Sequence, residues 1–282
     1  ENDERDPLSD AFIDAAVSTG IPVNPDYNGR SQLGIAYAQR SIHRGKRVSP
    51  ARSFLYPAQK RGNTAVVINA QVIKIMLENR RAIGVQYKIG GASSQIQTVF
   101  ARREVVICCG AIGSPHLLEL SGIGDASRLV PLGIHVTHNL PGVGENFRDH
   151  YAVRSIVRVK GVKTINERVR GISLARELIR YGFNRRGALA LTPTLVYCFW
   201  KSHPTMEQGD IQLTFTPASY PGGVQSGLDE FPGATVACWQ QRPDSAGYVH
   251  AVSSNNFFQP EIQGNYLAED SDQRVLLKAI KL

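Results

Sequence analysis

The side chains best suited to proton or metal chemistry are seven histidines (His43, His116, His135, His138, His150, His203, His250) and four cysteines. His135 and His138 stand three apart, a spacing that suits a metal on a helix. They fall in a stretch that reads as extended, where i and i+3 point to opposite faces, so no metal site is expected. His150 follows Asp149 and is a candidate base. Cys108, Cys109, Cys198 and Cys238 show neither a C-x-x-C nor a zinc spacing, and adjacent Cys108 and Cys109 cannot easily bridge each other. Reduced, buried thiols and an intracellular protein are expected. Trp200 and Trp239 are candidates for an aromatic cage around a quaternary ammonium, with core packing as the alternative. The apolar run from Glu104 to Ala111, ending in Gly110, leads into Ser114-Pro115. A strand, a glycine turn and a helix N-terminus in that order can present free N–H groups to phosphate or ribose oxygens.

The elements that must position these groups follow from hydrophobic periodicity. Residues 8–20 predict an amphipathic helix with Ala11, Phe12, Ala15 and Ala16 as its stripe and Gly20 as its stop. Residues 31–57 are irregular, with a basic turn at Arg44-Gly45-Lys46-Arg47, and read as a stretch that wraps something. Strands are expected at 65–68, 72–77, 83–89 and 96–100, and the run 104–109 reads as a strand buried on both faces of a parallel sheet. Ser114 is the expected N-cap, Pro115 the first helical residue and Gly122 the stop. After residue 151, strands at 153–159, 195–200, 210–216, 234–240 and 248–252 predict a second domain on an antiparallel sheet. A helix is expected from Ser271 onward.

With 42% hydrophobic and 20% charged residues, the 282-residue chain has ordinary globular composition rather than that of a fibrous or disordered protein. Its length suggests about two domains, and no apolar run approaches the roughly 20 residues of a membrane span. The net charge of +8 is concentrated: between Lys160 and Arg186 eight basic residues face only Glu167 and Glu177. Ile172, Ala175, Leu178 and Ile179 recur there at helical spacing, which puts the arginines largely on the opposite face. A solvated helix face is the plain reading and contact with acidic lipid headgroups the alternative. No motif reads nucleic acid.

The fifteen residues Gly110 to Gly124 resemble the second signature of the glucose–methanol–choline (GMC) oxidoreductases: Gly-Ala, two variable residues, Ser-Pro, one variable, two aliphatics, two variable, then Ser-Gly-aliphatic-Gly. Every fixed place is filled. Leu140-Pro141-Gly142-Val143-Gly144 with Asn146 and Asp149-His150 is similar to a further family segment, although Asn139 stands where an aspartate is usual. Asp26-Tyr27-Asn28-Gly29, Arg47-Val48-Ser49-Pro50-Ala51, Tyr56-Pro57, Arg242 to Gly247, Asn265-Tyr266-Leu267 and Asp272-Gln273-Arg274 extend the likeness over nearly the whole chain.

The resemblance implies an α/β plus α+β architecture, part of an FAD-binding domain with an interleaved substrate domain on an antiparallel sheet. Residues 1–61 are the expected linking or cap segment, 62–150 part of the FAD-binding domain and 151–282 part of the substrate-binding domain. It implies an FAD-dependent oxidoreductase that moves hydride from the CH–OH group of choline, another primary alcohol or a polyol to flavin N5. The residues do not read the electron acceptor; a quinone and a dye-type compound are the candidates. Val72 falls where family members contact the adenine by backbone groups. Cys109, Gly110 and Ala111 fall at the turn beside the ribose and pyrophosphate, and His150 in a structural loop. The family's Gly-x-Gly-x-x-Gly has no counterpart; Gly90-Gly91 and Gly222-Gly223 do not follow buried strands. The catalytic histidine and its His or Asn partner are expected beyond Leu282, so the chain reads as the middle of a longer enzyme, inactive alone, cytoplasmic or peripheral to the inner membrane. The alternative is a non-catalytic binding module or a fragment docking on a membrane surface.

Overall fold

The computed structural model describes residues 5–192, 194–222 and 226–282; Glu1 and Gly223 lie outside these ranges. The chain forms two compact units, one from residues 1–63, 150–242 and 269–282, the other from 64–149 and 243–268.

The first unit is built on a five-stranded antiparallel sheet in the order Gly34–Tyr37, Val196–Trp200, Ile211–Thr216, Gly233–Gln240, Val153–Arg158. The inner strands carry β-branched and aromatic residues, and Ile35, Val196, Phe199, Ile211 and Phe215 form much of the buried interior. Gly34–Tyr37 lies within the stretch expected to be irregular, and it supplies one edge of the sheet. Four residues are too few for periodicity to reveal. The basic turn is the tip of a small hairpin, Ile42–His43 with Lys46–Arg47.

Two helices pack on this sheet. Pro7–Ser18 begins where Asp6 accepts from the N–H groups of Leu8 and Ser9 at 3.1 and 3.0 Å, with Pro7 in the first turn, where its missing N–H costs nothing. Phe12 stacks on Phe215 with ring centroids 4.6 Å apart. The Asp270–Lys281 helix buries Leu276 and Ala279.

The Gly171–Asn184 helix sits the other way round from the expectation. Its inner side is Ser173, Leu174, Glu177 and Tyr181, while Ile172, Ala175, Leu178 and Ile179 are exposed. Ion pairing and hydrogen bonding decide the orientation. Arg168 donates to Glu177 Oε1 at 2.9 and 3.1 Å, the Ala188 N–H donates to its Oε2 at 2.7 Å, and the Tyr181 hydroxyl donates to the Gly45 carbonyl at 3.1 Å. Burial pushes the Glu177 carboxyl up, but the Ala188 N–H and Arg168 outweigh it and hold the group below its ordinary 4.5. Because the native value is the lower one, the unfolded chain takes up this proton first as pH falls. The stabilisation is complete above the unfolded value and is lost as pH drops through the native one. In Glu177→Gln that part of the acid dependence should vanish. Urea midpoints of both proteins followed from about pH 7 to about pH 3 check this, and parallel curves would contradict it.

The second unit contains the expected meander, observed as Ala70–Glu78, Arg81–Ile89 and Gln97–Phe100. A second small sheet orders Glu261–Gln263, Gly247–His250 and Glu145–Phe147, and a short parallel pair joins Ile123–Gly124 to His138–Asn139. The Gly110–Leu120 helix packs on the first strand of the meander and on Gly247–His250. Around its C-terminal end, Leu120, Leu129, Ile134 and Ala251 form a core cluster with Leu132 and Val136 against it.

Two expected strands are not strands. Residues 65–68 and 104–109 are outside every ladder among the described residues, and Val67, Ile68 and Val106 are exposed. Cys108 and Cys109 are exposed with them, against the expectation of burial, whereas Cys198 and Cys238 are buried. Burial alone drives the Cys198 thiol up to about 12. An apolar run is compatible with a strand, but only a neighbouring chain segment makes it one. The following helix starts at Gly110 rather than after Ser114, with Pro115 inside it. That proline forfeits only one bond close to the N-terminal end, so the helix tolerates it there.

Candidate functional site

All four residues expected to contact a cofactor lie in the second unit. Val72 is in the Ala70–Glu78 strand at a register shift, where Val72 pairs with Tyr87 and Lys74 with Gln86. Two residues then oppose one, and the backbone is locally released from the ladder. The Val72 carbonyl accepts from Asn256 Nδ2 at 3.1 Å. Asn256 Oδ1 is buried and has no hydrogen-bond partner among the described residues. A buried amide oxygen without a donor is costly in a folded protein, so this atom marks a place able to receive an N–H group.

Cys109, Gly110 and Ala111 form the start of the Gly110–Leu120 helix and are exposed. Gly110 has φ +76°, which turns the extended 104–109 segment into the helix, and a Cβ built there would meet nothing within 4 Å. Cys109 makes no side-chain capping bond, so the first N–H groups of the helix retain their capacity to donate to an anionic or carbonyl oxygen.

The other end of this helix is fixed by contacts that spacing did not reveal. Glu119 is almost inaccessible; its Oε1 lies 2.7 Å from His250 Nδ1, and its Oε2 accepts the Ala251 N–H at 2.6 Å. His250 Nε2 lies 3.0 Å from Glu145 Oε1, and the ring stacks on Tyr248 with centroids 5.0 Å apart. The Ser121 hydroxyl accepts the Ile75 N–H at 2.8 Å and donates to the Leu117 carbonyl at 2.6 Å. Thus one helix is tied to two sheets. Burial lowers the His116 imidazole below its ordinary value, against the opposing influence of Glu119. The signal available in the sequence was an acidic residue inside Leu-Leu-Glu-Leu and a histidine inside Tyr-Val-His-Ala-Val, each an ionisable group where burial is expected.

His150 belongs to the first unit, with Nε2 3.0 Å from the Gln241 carbonyl and its ring 5.8 Å from that of Trp239. Trp200 pairs with Ile211, which pairs with Gln240, whereas Trp239 pairs with Gln212, which pairs with Phe199. Cross-strand partners share a face, so the two tryptophans lie on opposite faces of the sheet and do not form a cage together. His135 and His138 are in the second unit, His138 in the short parallel pair.

The chain is 33% identical over 279 residues to the oxygen-dependent choline dehydrogenase of Photobacterium profundum, covering 99% of this chain and 48% of that protein. It is 34% identical over 301 residues to the chloroplastic fatty acid photodecarboxylase of Chlamydomonas reinhardtii, covering 98% of this chain and 49% of that one. Its fold superposes on pyridoxine 4-oxidase from Mesorbium loti with a TM-score of 0.82 and 21% identity, over 100% of this chain and 51% of the oxidase. The chain spans about half the length of the curated relatives it matches. The family model for GMC oxidoreductase matches residues 1–152, which include the glycine turn, the helix that follows it and the Ser-Gly-Ile-Gly at its end. The chain belongs to the GMC oxidoreductase family.

Proposed function

We propose that the chain is part of an FAD-dependent oxidoreductase acting on the CH–OH group of a small alcohol, with the second unit holding the adenine and ribose–pyrophosphate end of the cofactor. The observation that carries this reading is the buried, partnerless Asn256 Oδ1 beside Val72. It is an acceptor suited to an N–H group such as the adenine amino group, next to a backbone segment released from its ladder. The residues fit such a group. The Val72 backbone and Asn256 would orient the ring edge. Cys109, Gly110 and Ala111 would receive the ribose or pyrophosphate on uncapped N–H groups with open space above Gly110. FAD, when bound, supplies the redox step by taking hydride from the alcohol carbon. The first unit is the part we assign to the substrate side, through its antiparallel sheet. We assign residues 64–149 and 243–268 to the cofactor side, and within 1–61 the linking role. Choline or another primary alcohol is the substrate class and a quinone or dye-type compound the acceptor. Peripheral contact with a membrane is the finer reading of where the enzyme works.

Light-driven decarboxylation is the second reading, because a photodecarboxylase, 34% identical over 98% of this chain, is also among the relatives. One preparation separates them. The enzyme expressed from the gene that contains this segment should purify yellow and bleach in the dark when a primary alcohol is added without oxygen. Gly110→Leu and Asn256→Leu should each lower flavin occupancy several-fold, and bound flavin should shield Cys109 from thiol reagents. A wild-type enzyme that neither carries nor takes up FAD would refute the cofactor reading. Release of carbon dioxide from a fatty acid only under illumination, with the flavin left oxidised, would favour the second.

A further inference from the structure

We infer that the outer face of the Gly171–Asn184 helix is a docking surface for an anionic lipid bilayer. This names the surface behind the peripheral-membrane reading above and rests on that reading alone, independent of the redox chemistry. Three apolar side chains form its ridge, Ile172, Ile179 and Phe183, which are 83%, 62% and 86% exposed. Their spacing of i, i+7 and i+11 keeps them on one face, and Arg176 and Arg180, at i+4 and i+8, run along its flank. Leu178, 54% exposed, widens the apolar side.

The charge on this face has one sign because both acids of the 160–186 stretch are engaged elsewhere. Glu177 is on the inner side with Arg168 and Ala188. Glu167 closes a capping box with Thr164 at the start of the preceding short helix. The helix therefore buries a carboxylate and a phenol inward and presents isoleucine, phenylalanine and arginine outward. That is the reverse of a helix whose apolar stripe serves its own core. A convex ridge of bulky apolar side chains edged by arginines complements a planar surface that is apolar a few ångströms down and negatively charged at the top.

Co-sedimentation with vesicles of the enzyme expressed from the gene that contains this segment tests this. Vesicles of phosphatidylcholine with a minor share of phosphatidylglycerol should bind the chain, and added salt should weaken the binding. Ile179→Asp with Phe183→Asp should reduce binding at least about tenfold, since each side chain loses the burial it gains in the interface. Arg176→Gln and Arg180→Gln should each reduce it about fivefold on the anionic vesicles. Since Ile179, Phe183 and Arg176 are exposed and outside the contacts that hold Glu177, circular dichroism and the melting temperature of their variants should match the parent. Binding to anionic vesicles that all four substitutions leave unchanged would overturn the assignment of this helix while peripheral contact stood. No binding to these vesicles would overturn both. A concentration-dependent dimer that Phe183→Asp abolishes, with no vesicle binding, would identify a second copy of the chain as the occupant instead.

Discussion

Replacing Glu119 with leucine is expected to destabilise the unit formed by residues 64–149 and 243–268 by about 3–5 kcal/mol, the range for breaking a buried pair by removing one partner. Leucine nearly conserves the volume, so the loss is one of partners rather than of packing. His250 Nδ1 would lose an acceptor 2.7 Å away, and the Ala251 N–H one 2.6 Å away, at a place where the Glu119 and His250 side chains are only 1% and 3% exposed. Water cannot replace the carboxylate there without opening the contact between the Gly110–Leu120 helix and the Gly247–His250 strand. Glu119→Gln keeps the shape and one acceptor oxygen and should lose less, about 1–2 kcal/mol. The double replacement Glu119→Leu with His250→Leu should recover part of the loss, because an apolar pair tolerates burial where a lone imidazole does not. Recovery would be incomplete, since the Ala251 N–H remains unpaired. Equilibrium urea unfolding of the four proteins decides the matter. A single Glu119→Leu loss under about 1 kcal/mol would mean that the cluster does not hold the helix.

That cluster was not legible beforehand, and the reason is distance along the chain. Glu119 and His250 are 131 residues apart, and periodicity within a window of a dozen residues carries no information about such a pair. Local features were legible. The strands expected at 72–77 and 83–89 are observed as Ala70–Glu78 and Arg81–Ile89, joined through Asn79 and Arg80 at φ +47° and +63°. Where the physics is half local, the reading was half right. The periodicity of Ile172, Ala175, Leu178 and Ile179 correctly marks a helix, but a stripe does not say which side packs inward. Glu177, paired with Arg168 and Ala188, settles that from outside the helix. Residues 65–68 and 104–109 have the composition of inner strands, yet composition supplies only one of the two segments that a ladder needs. Of the cofactor candidates, the Cys109–Ala111 turn was readable because the fifteen-residue signature contains Gly110 and Ala111 and begins directly after Cys109. Asn256, far downstream of Val72, was not.

Gly122→Ala is expected to cost about 3 kcal/mol or more, although the change adds a single methyl group. Gly122 closes the Gly110–Leu120 helix. Its N–H donates to the Glu119 carbonyl at 2.8 Å, and its own carbonyl accepts from Thr137 and His138 at 2.8 and 3.1 Å. Two independent penalties meet at this residue. Its φ of +85° is one that an L side chain adopts at a cost of roughly 1–2 kcal/mol. A Cβ would also stand 2.2 Å from the His135 carbonyl oxygen and 2.9 Å from Thr137 Oγ1, so the chain at 135–138 would have to move. That movement would break the two bonds to Gly122 and disturb the parallel pair that carries Ile123 and His138. Gly133 separates the two penalties, because its φ is +73° but nothing lies within 4 Å of a Cβ there. Gly133→Ala should therefore cost only the conformational part, about 1 kcal/mol. Urea midpoints for the two variants measure the difference, and equal losses would show that the space around Gly122 is not as tight as the backbone places it. If the larger loss is found at Gly122, the Ser-Gly-Ile-Gly that ends the family signature acts through packing. Ser121 ties the helix to Ile75, and Gly122 lets the chain at 135–138 close against it. The residues we propose for the cofactor would then depend on this far end of the helix for their position.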